Sequence, residues 1–386
     1  MHTLSSYPLN RRQLARALFG AVAAPALAAK PSSYLVYLGT YTGPKSKGIY
    51  VTRFDPASGK LDPIKLAGEV EQPSWVTLHP NGRYLYAVSE LGGNVQGTVS
   101  SFAVDNRSGE LKLLNRTGSG GTVACHLAID KTGKTIAVAN YGNGSVATIH
   151  LEADGKLGQR ISLQQHAGSG ANPRRQRGPH AHAVVLSHDN RFLFVPDLGL
   201  DKIMIYRFDA ATGAITPNDP PSVSVKPGSG PRHFAFAPRA PFAYGLNEMG
   251  SSVIAFAYDA AKGSLREVQN ITTLPAGFSG ENNCAEIQVD RAGKFLYASN
   301  RGDDSIAVFS IHPRQGTLTH VERVSTQGKI PRNFSLDPTG NYLLAANQNT
   351  NNLVTFKVNR KSGKLTPAGQ VLEVPSCVCI EFLAAG

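Results

Sequence analysis

AEIQVDRAGKFLYASNRGDDSIAVFSI, residues 285–311, holds three runs of alternating apolar and polar residues parted by turn chemistry. The runs are 285–289, 295–299 and 305–311, with Asp290-Arg-Ala-Gly293 and Arg301-Gly-Asp-Asp304 between them. Alternation sends successive side chains to opposite faces of a strand, and Gly, Asn and Asp supply the positive-φ positions of hairpins. A fourth run comes after Pro313-Arg-Gln-Gly316, so the stretch reads as a four-stranded antiparallel meander.

The unit recurs. PSWVTLHPNGRYLYAVSE (73–90), ACHLAIDKTGKTIAVANY (124–141), AHAVVLSHDNRFLFVPDL (181–198), PRHFAFAPRAPFAYGLNE (231–248) and PRNFSLDPTGNYLLAANQ (331–348) align with CAEIQVDRAGKFLYASNR (284–301) without a gap. Their first residues lie 51, 57, 50, 53 and 47 residues apart in chain order. A period near fifty with four strands per repeat predicts an all-β propeller. The two ends supply a seventh copy: 34–40 matches the second strand, 48–54 the third, and 375–382 the missing first strand. One blade is thus closed by both termini, which leaves no open sheet edge at the ring's seam. The expectation is a seven-bladed β-propeller of four-stranded antiparallel blades, forming a single domain over residues 29–386.

Residues 1–28 stand apart. Asn10-Arg11-Arg12-Gln13-Leu14-Ala15-Arg16 precedes an Ala-rich apolar stretch ending in Ala26-Leu27-Ala28. Basic, then apolar, then small residues is the order of a cleavable export signal, and the paired arginines fit the twin-arginine route. The expected location is therefore periplasmic or secreted, or cytoplasmic if the signal is unused. No stretch approaches the ~20 apolar residues of a membrane helix. The net charge of +12 falls to +9 without this segment, which suits anionic small molecules. No interleaved basic and aromatic pattern points to nucleic acid. Cys125, Cys284, Cys377 and Cys379 all fall on expected innermost strands, where small buried thiols rather than a disulfide framework are expected.

One position can be read around the whole ring. The second residue of each segment gives Ser74, Cys125, His182, Arg232, Ala285 and Arg332, with Ser376 from the C-terminal strand. The third gives Trp75, His126, Ala183, His233, Glu286, Asn333 and Cys377, after which the strands return to core residues. The last two positions read Ser89-Glu90, Asn140-Tyr141, Asp197-Leu198, Asn247-Glu248, Asn300-Arg301 and Asn347-Gln348. The recurring Asn or Asp caps a turn, whereas Glu90, Glu248 and Arg301 after it are free for chemistry. Neighbouring strands are antiparallel, so these ends and the starts of the innermost strands share one mouth of the channel. The longest connection, 164–179, is Gly/Pro-rich and basic; it either covers that mouth or runs as a solvated excursion. His180-Ala-His182 offers two imidazoles on one face, but no further ligands at metal-binding spacing accompany it, and no metal or cofactor is expected.

The runs PHAHAV…RFLFVPDLGLDKIMIYRFD, GPRHFAFAP…NEMGSSVIAF, AEIQVD…GKFLYASNRGDDSIAVF and PRNFSLDPTGNYLLAANQ resemble the seven-bladed propeller lactonase family. That family includes propeller-type bacterial 6-phosphogluconolactonases and fungal carboxymuconate cyclase. The resemblance spans residues 34–383, and its cyclase branch implies a His, two Arg and a Glu at the channel mouth, matched here by His182 (or His180), Arg232, Glu248 and Arg301. It also implies a lactone hydrolase; opening a cyclic ester needs a base to activate water and positive charge for the oxyanion, and the expected base is Glu248, with Glu286 or His182 in reserve. Arg232 and Arg301 would stabilise the oxyanion and hold an anionic lactone or sugar acid, and His180, His233, Glu286 and Arg332 would support binding. Hydrolysis without a metal is the expectation. The alternatives are a carboxymuconate cyclase-type lyase and a non-catalytic secreted binding propeller. The export signal sets this chain apart from cytosolic phosphogluconolactonases and leaves the phosphate on the substrate open.

Overall fold

Alternating runs become strands wherever the sequence places them. The computed structural model describes His2 and residues 31–386, and every element among them is a strand. The strands form seven antiparallel sheets of radial, consecutive order. The export signal read at 1–28 lies outside the described residues, His2 excepted.

Blade 1 is closed by the two termini. Its first strand, Cys377–Ala384, pairs with Tyr34–Thr40, which pairs in turn with Gly48–Asp55. Its outer strand is split into Lys60–Leu61 and Lys65–Glu69 around Pro63. Blades 2 to 7 start at residues 76, 124, 185, 231, 283 and 331 and are four-stranded.

The C-terminal strand corrects the expected register. Thr40 pairs with Cys377, as Asn140 pairs with Ala124 and Asn247 with Pro231. Cys377 is therefore the first residue of its repeat, two places from the expected alignment, and Val378 and Cys379 take the positions expected of Ser376 and Cys377. The backbone agrees: Ser376 has φ 43°, matching Gln72, Val123 and Ile330, which precede the other strands. A slip of two residues leaves the alternation unchanged, so pattern alone is blind to it. All four cysteines are free and buried.

Blades lock together through a repeated pairing. The Asp-x-x-x-Gly turn between the third and fourth strands ends in a left-handed glycine, such as Gly263 (φ 66°), and Gly363 (φ 76°) ends the matching turn of blade 7. Each lies against the aromatic ring that opens the second strand of the preceding blade, Phe192 and Phe295 respectively, and a Cβ there would overlap the ring. Buried tyrosines bond the same kind of turn: Tyr86, Tyr244 and Tyr297 donate to the carbonyls of Gly155, Gly316 and Gly363 at 2.9–3.0 Å.

Two irregularities position the site. At the starts of blades 5 and 7, Pro231 and His233 pair with Asn247 and Leu246, and Pro331 and Asn333 with Asn347 and Ala346. Arg232 and Arg332 are thus the unpaired residues of β-bulges, which re-aim a side chain out of the ladder. In blade 4 the regular inner strand shrinks to Val185–Leu186. His182 N–H still donates to Pro196 O at 2.9 Å, but proline has no N–H to return the bond.

Candidate active site

The backbone N–H after each second strand bonds the residue preceding the inner strand of its blade. Glu90 donates to Gln72 O, Tyr141 to Val123 O, Leu198 to His180 O, Glu248 to Gly230 O and Gln348 to Ile330 O. This brings the two polar positions of each repeat to one mouth. The recurring Asn and Asp are buried caps, as Asn140 and Asn300 illustrate by bonding Ser145 Oγ and Ser305 Oγ.

A cavity of about 290 Å³ opens at that mouth, lined by Glu90, Tyr141, Arg175, His182, Glu248, Asn283, Arg301 and Arg332. Glu248 is its hub. Its Oε2 lies 3.1 Å from Arg232 Nε, 2.8 Å from Arg301 Nη2 and 4.0 Å from His182 Nε2, and its Oε1 accepts from Arg175 Nη2 at 2.8 Å. His182, Arg232, Glu248 and Arg301 therefore converge. Burial alone would raise the Glu248 pKa, but Arg301 and Arg232 hold it well below the usual carboxylate range. A carboxylate paired with three guanidinium groups is held in its charged form, a fixed negative centre for the groups around it.

His182 is kept neutral, its pKa pushed well below the usual value by burial and by Arg232. Its Nδ1 is buried and has no hydrogen-bond partner among the described residues. The 4.0 Å gap from its Nε2 to Glu248 is too long for a direct bond and suits a bridging water. Arg332 stacks over Tyr41, 5.4 Å from the ring centre, and lies 3.7 Å from Glu90 Oε1, itself steadied because Tyr41 OH donates to Glu90 Oε2 at 2.9 Å. Burial opposes the Arg332 charge, yet Tyr41 and Glu90 carry its pKa above the ordinary value. Arg301 is anchored by donating to Asn283 O and Cys284 O at 3.3 and 3.0 Å.

His180, His233 and Glu286 do not line the cavity. His180 stacks on Tyr141 at 4.4 Å and bonds its carbonyl through Nδ1 at 2.8 Å. His233 and Glu286 belong to a buried layer of the third repeat positions, with His126, Asn333 and the partly buried Trp75. Trp75 packs tilted against His126, ring centres 4.0 Å apart, and meets His233 at 5.4 Å, a contact between non-adjacent blades that crosses the channel. Arg232 Nη1 donates to His233 Nε2 at 3.0 Å and to Ala285 O, so the neutral imidazole carries its proton on Nδ1, 3.2 Å from Glu286 Oε2. Burial pushes Glu286 up to about 8, and Asn333 Nδ2 donates to it at 2.8 Å. Arg232, its own pKa lowered to about 10 by burial and by Arg332 and Arg301, joins this layer to Glu248 and does not itself reach the cavity lining. Of the two arginines expected at the oxyanion, Arg301 lines the cavity and Arg232 does not.

Tyr141, Arg175 and Asn283 were not singled out by residue type. Tyr141 shares the repeat position of Glu90 and Glu248, and Arg175 lies in the basic 164–179 connection, which does cover the mouth. Among the described residues no group of three or more His, Cys, Asp or Glu side chains is placed to hold a metal ion.

The family described as lactonase, 7-bladed beta-propeller matches residues 35–382. The 6-phosphogluconolactonase of Bacillus subtilis is 37% identical over 306 residues, covering 79% of this chain and 86% of that protein. The 6-phosphogluconolactonase of Formosa agariphila is 36% identical over 306 residues, covering 78% and 86%. The periplasmic gluconolactonase of Pseudomonas aeruginosa superposes with a TM-score of 0.87 at 35% identity, over 92% of this chain and all of that one. Repeat, closure, mouth chemistry and similarity converge on one assignment: the chain belongs to the seven-bladed β-propeller lactonase family.

Proposed function

We propose that the protein hydrolyses a sugar-acid lactone at the mouth cavity, by general-base attack of water and without a metal. The observation that carries this reading is the meeting of a neutral His182 with a fixed carboxylate and several guanidinium groups around one sugar-sized space. A water held between His182 Nε2 and Glu248 Oε2 gives its proton to the imidazole as its oxygen attacks the lactone carbonyl. Arg301 and Arg332 receive the developing oxyanion. Glu248 stabilises the imidazolium, which returns the proton to the departing ring oxygen. Ring opening then yields a hydroxy acid, with all atoms of water accounted for. An anion in the pocket offsets the arginine charge that depresses His182, so substrate binding itself strengthens the base.

The convergence of His182, Arg232, Glu248 and Arg301 also suits the cyclase-type lyase, since those four are the residues implied for that branch. Assaying a panel of aldonolactones, phosphorylated and not, beside a carboxymuconate decides between them. His182→Gln should cut kcat on the hydrolysed lactone by ~100-fold or more while the product acid still binds. Turnover at the wild-type rate in that variant refutes the base assignment.

For location we propose export, on the order of residues in the N-terminal segment and the likeness to a protein named periplasmic. Intact mass of the envelope fraction should show a chain beginning near Ala29; a full-length chain found in the cytosol alone refutes this. Among the described residues no helix is long and apolar enough to cross a membrane.

A further inference from the structure

Arg175 lines the cavity but has no part in the hydrolytic steps above, and the way it is held there is unusual for a loop residue. The loop that carries it is closed at its neck by a single buried carboxylate. Asp197 Oδ2 lies 2.6 Å from His166 Nδ1 at the start of the loop, and its Oδ1 accepts the N–H of His180 at the end, at 2.7 Å. The same Oδ1 also accepts from Gly199 and Leu200, and the His166 and Asp197 side chains are fully buried. Inside the loop, buried Gln176 accepts Asn172 N–H through Oε1 and donates to Leu198 O through Nε2, both at 2.7 Å. Asn172 Oδ1 in turn accepts the N–H groups of Arg174 and Arg175 at 2.9 and 3.1 Å. The Arg175 backbone is therefore fixed by side chains where no ladder exists, and a pre-organised donor loses little freedom on binding.

Its guanidinium differs from the others at the mouth. The Arg175 side chain is 41% exposed, against 4%, 12% and 17% for Arg232, Arg301 and Arg332. Glu248 Oε2 already has Arg232 and Arg301, so Arg175 meets Oε1 through Nη2 and reaches Tyr141 OH at 3.4 Å with the same nitrogen. Nε and Nη1 make no hydrogen bond among the described residues, which leaves most of the planar fork to the cavity and solvent. Four arginines face two carboxylates, Glu90 and Glu248, at this mouth, and the arginine that adds the exposed charge enters from the loop side.

We propose that Arg175 is a specificity-determining residue that selects lactones bearing an anionic group, carboxylate or phosphate, remote from the reacting carbonyl. Nη2 stays on Glu248 while the remaining N–H groups bind the anionic oxygens of the substituent at the outer rim. Asp197 is the positioning residue that holds the loop in place for it. This rests on the hydrolase reading, and the test separates the two.

The substrates are a neutral aldonolactone, the same lactone phosphorylated on its terminal hydroxyl, and the aldarolactone with a carboxylate there. Arg175→Ala should lower the ratio of kcat/KM for each charged lactone to that for the neutral one by at least 10-fold, and Arg175→Lys should recover part of it. A ratio that falls for the phosphorylated lactone alone makes phosphate the selected group; a fall for the aldarolactone alone makes it carboxylate. Equal losses on all three, or ratios unchanged, overturn the proposal. If the wild type hydrolyses none of the three, the hydrolase reading fails by itself. Calorimetric titration with the phosphorylated sugar acid and with the aldaric acid still decides on Arg175. Affinity weakened 10-fold or more in Arg175→Ala for either acid supports the anion site, and unchanged affinity for both refutes it.

Discussion

Replacing Glu248 by Gln keeps the shape of the hub and removes its charge, and the surrounding cations set the cost. The carboxylate is 6% exposed and paired with three guanidinium groups, two of them, on Arg232 and Arg301, nearly buried themselves. The amide leaves those cations uncompensated and turns an N–H₂ toward one arginine, a donor facing donors. Breaking a buried ion pair by removing one partner costs about 3–5 kcal/mol. For a domain of this size that is a fall in Tm of roughly 4–7 °C. Because the folded pKa of Glu248 is depressed, its contribution is fully present above the ordinary value of 4.5 and is lost only as pH falls below it. The Tm gap should thus be constant above about pH 5 and narrow in acid. The kinetic signature separates hub from base. If Glu248 were the base, the acid limb of the kcat/KM profile would vanish in the variant. With His182 as base the limb persists and moves to lower pH, because Glu248 raises the His182 pKa against the larger lowering by burial and Arg232. Differential scanning fluorimetry across the acid and neutral range and a pH–rate profile read both quantities. An unchanged Tm together with a lost acid limb would refute the hub argument.

Glu286→Gln should grow more stable relative to wild type as pH rises from about 5 to 8. The folded carboxyl, raised to about 8, holds a proton that the unfolded one has already released, so wild-type stability falls by up to about 1.4 kcal/mol per pH unit in that window. A Tm difference between the two proteins that does not vary with pH would contradict this. Glu381, raised by burial to about 7, accepts Leu78 N–H of the next blade at 3.5 Å, where Gln288 accepts Leu336 N–H and also donates to Phe334 O. Glu381→Gln should therefore stabilise the protein in mild alkali by about 1–2 kcal/mol in chemical denaturation, and a destabilised variant would refute the equivalence of the two positions. Deleting residues 377–386 strips the inner strand from blade 1 and bares the edge of Tyr34–Thr40. The product should aggregate, and a soluble monomer of wild-type Tm in light scattering and fluorimetry would contradict the closure.

Much of this molecule is written in local pattern. Strand alternation and turn residues act over a few positions, so seven repeats and their closure by both ends are legible in the chain. Because every repeat has the same strand directions, the positions of His182, Arg232, Glu248 and Arg301 predict a shared mouth, and they do meet there. Two things escape a local reading. A two-residue slip preserves alternation, so the true place of Cys377 emerges only when Thr40 pairs with it. The roles of titratable groups escape it as well, because a pKa depends on charges brought near from distant sequence. Glu248 becomes a hub because residues 175, 232 and 301 surround it, and Glu286 sinks below the site with His233. The bulges at Arg232 and Arg332 and the missing N–H of Pro196 then aim the groups, and the neck at Asp197 sets Arg175 over the cavity. Pattern distributes residues among blades; only the closed ring brings their charges within a few ångströms, and at that distance each one's protonation is decided by the others.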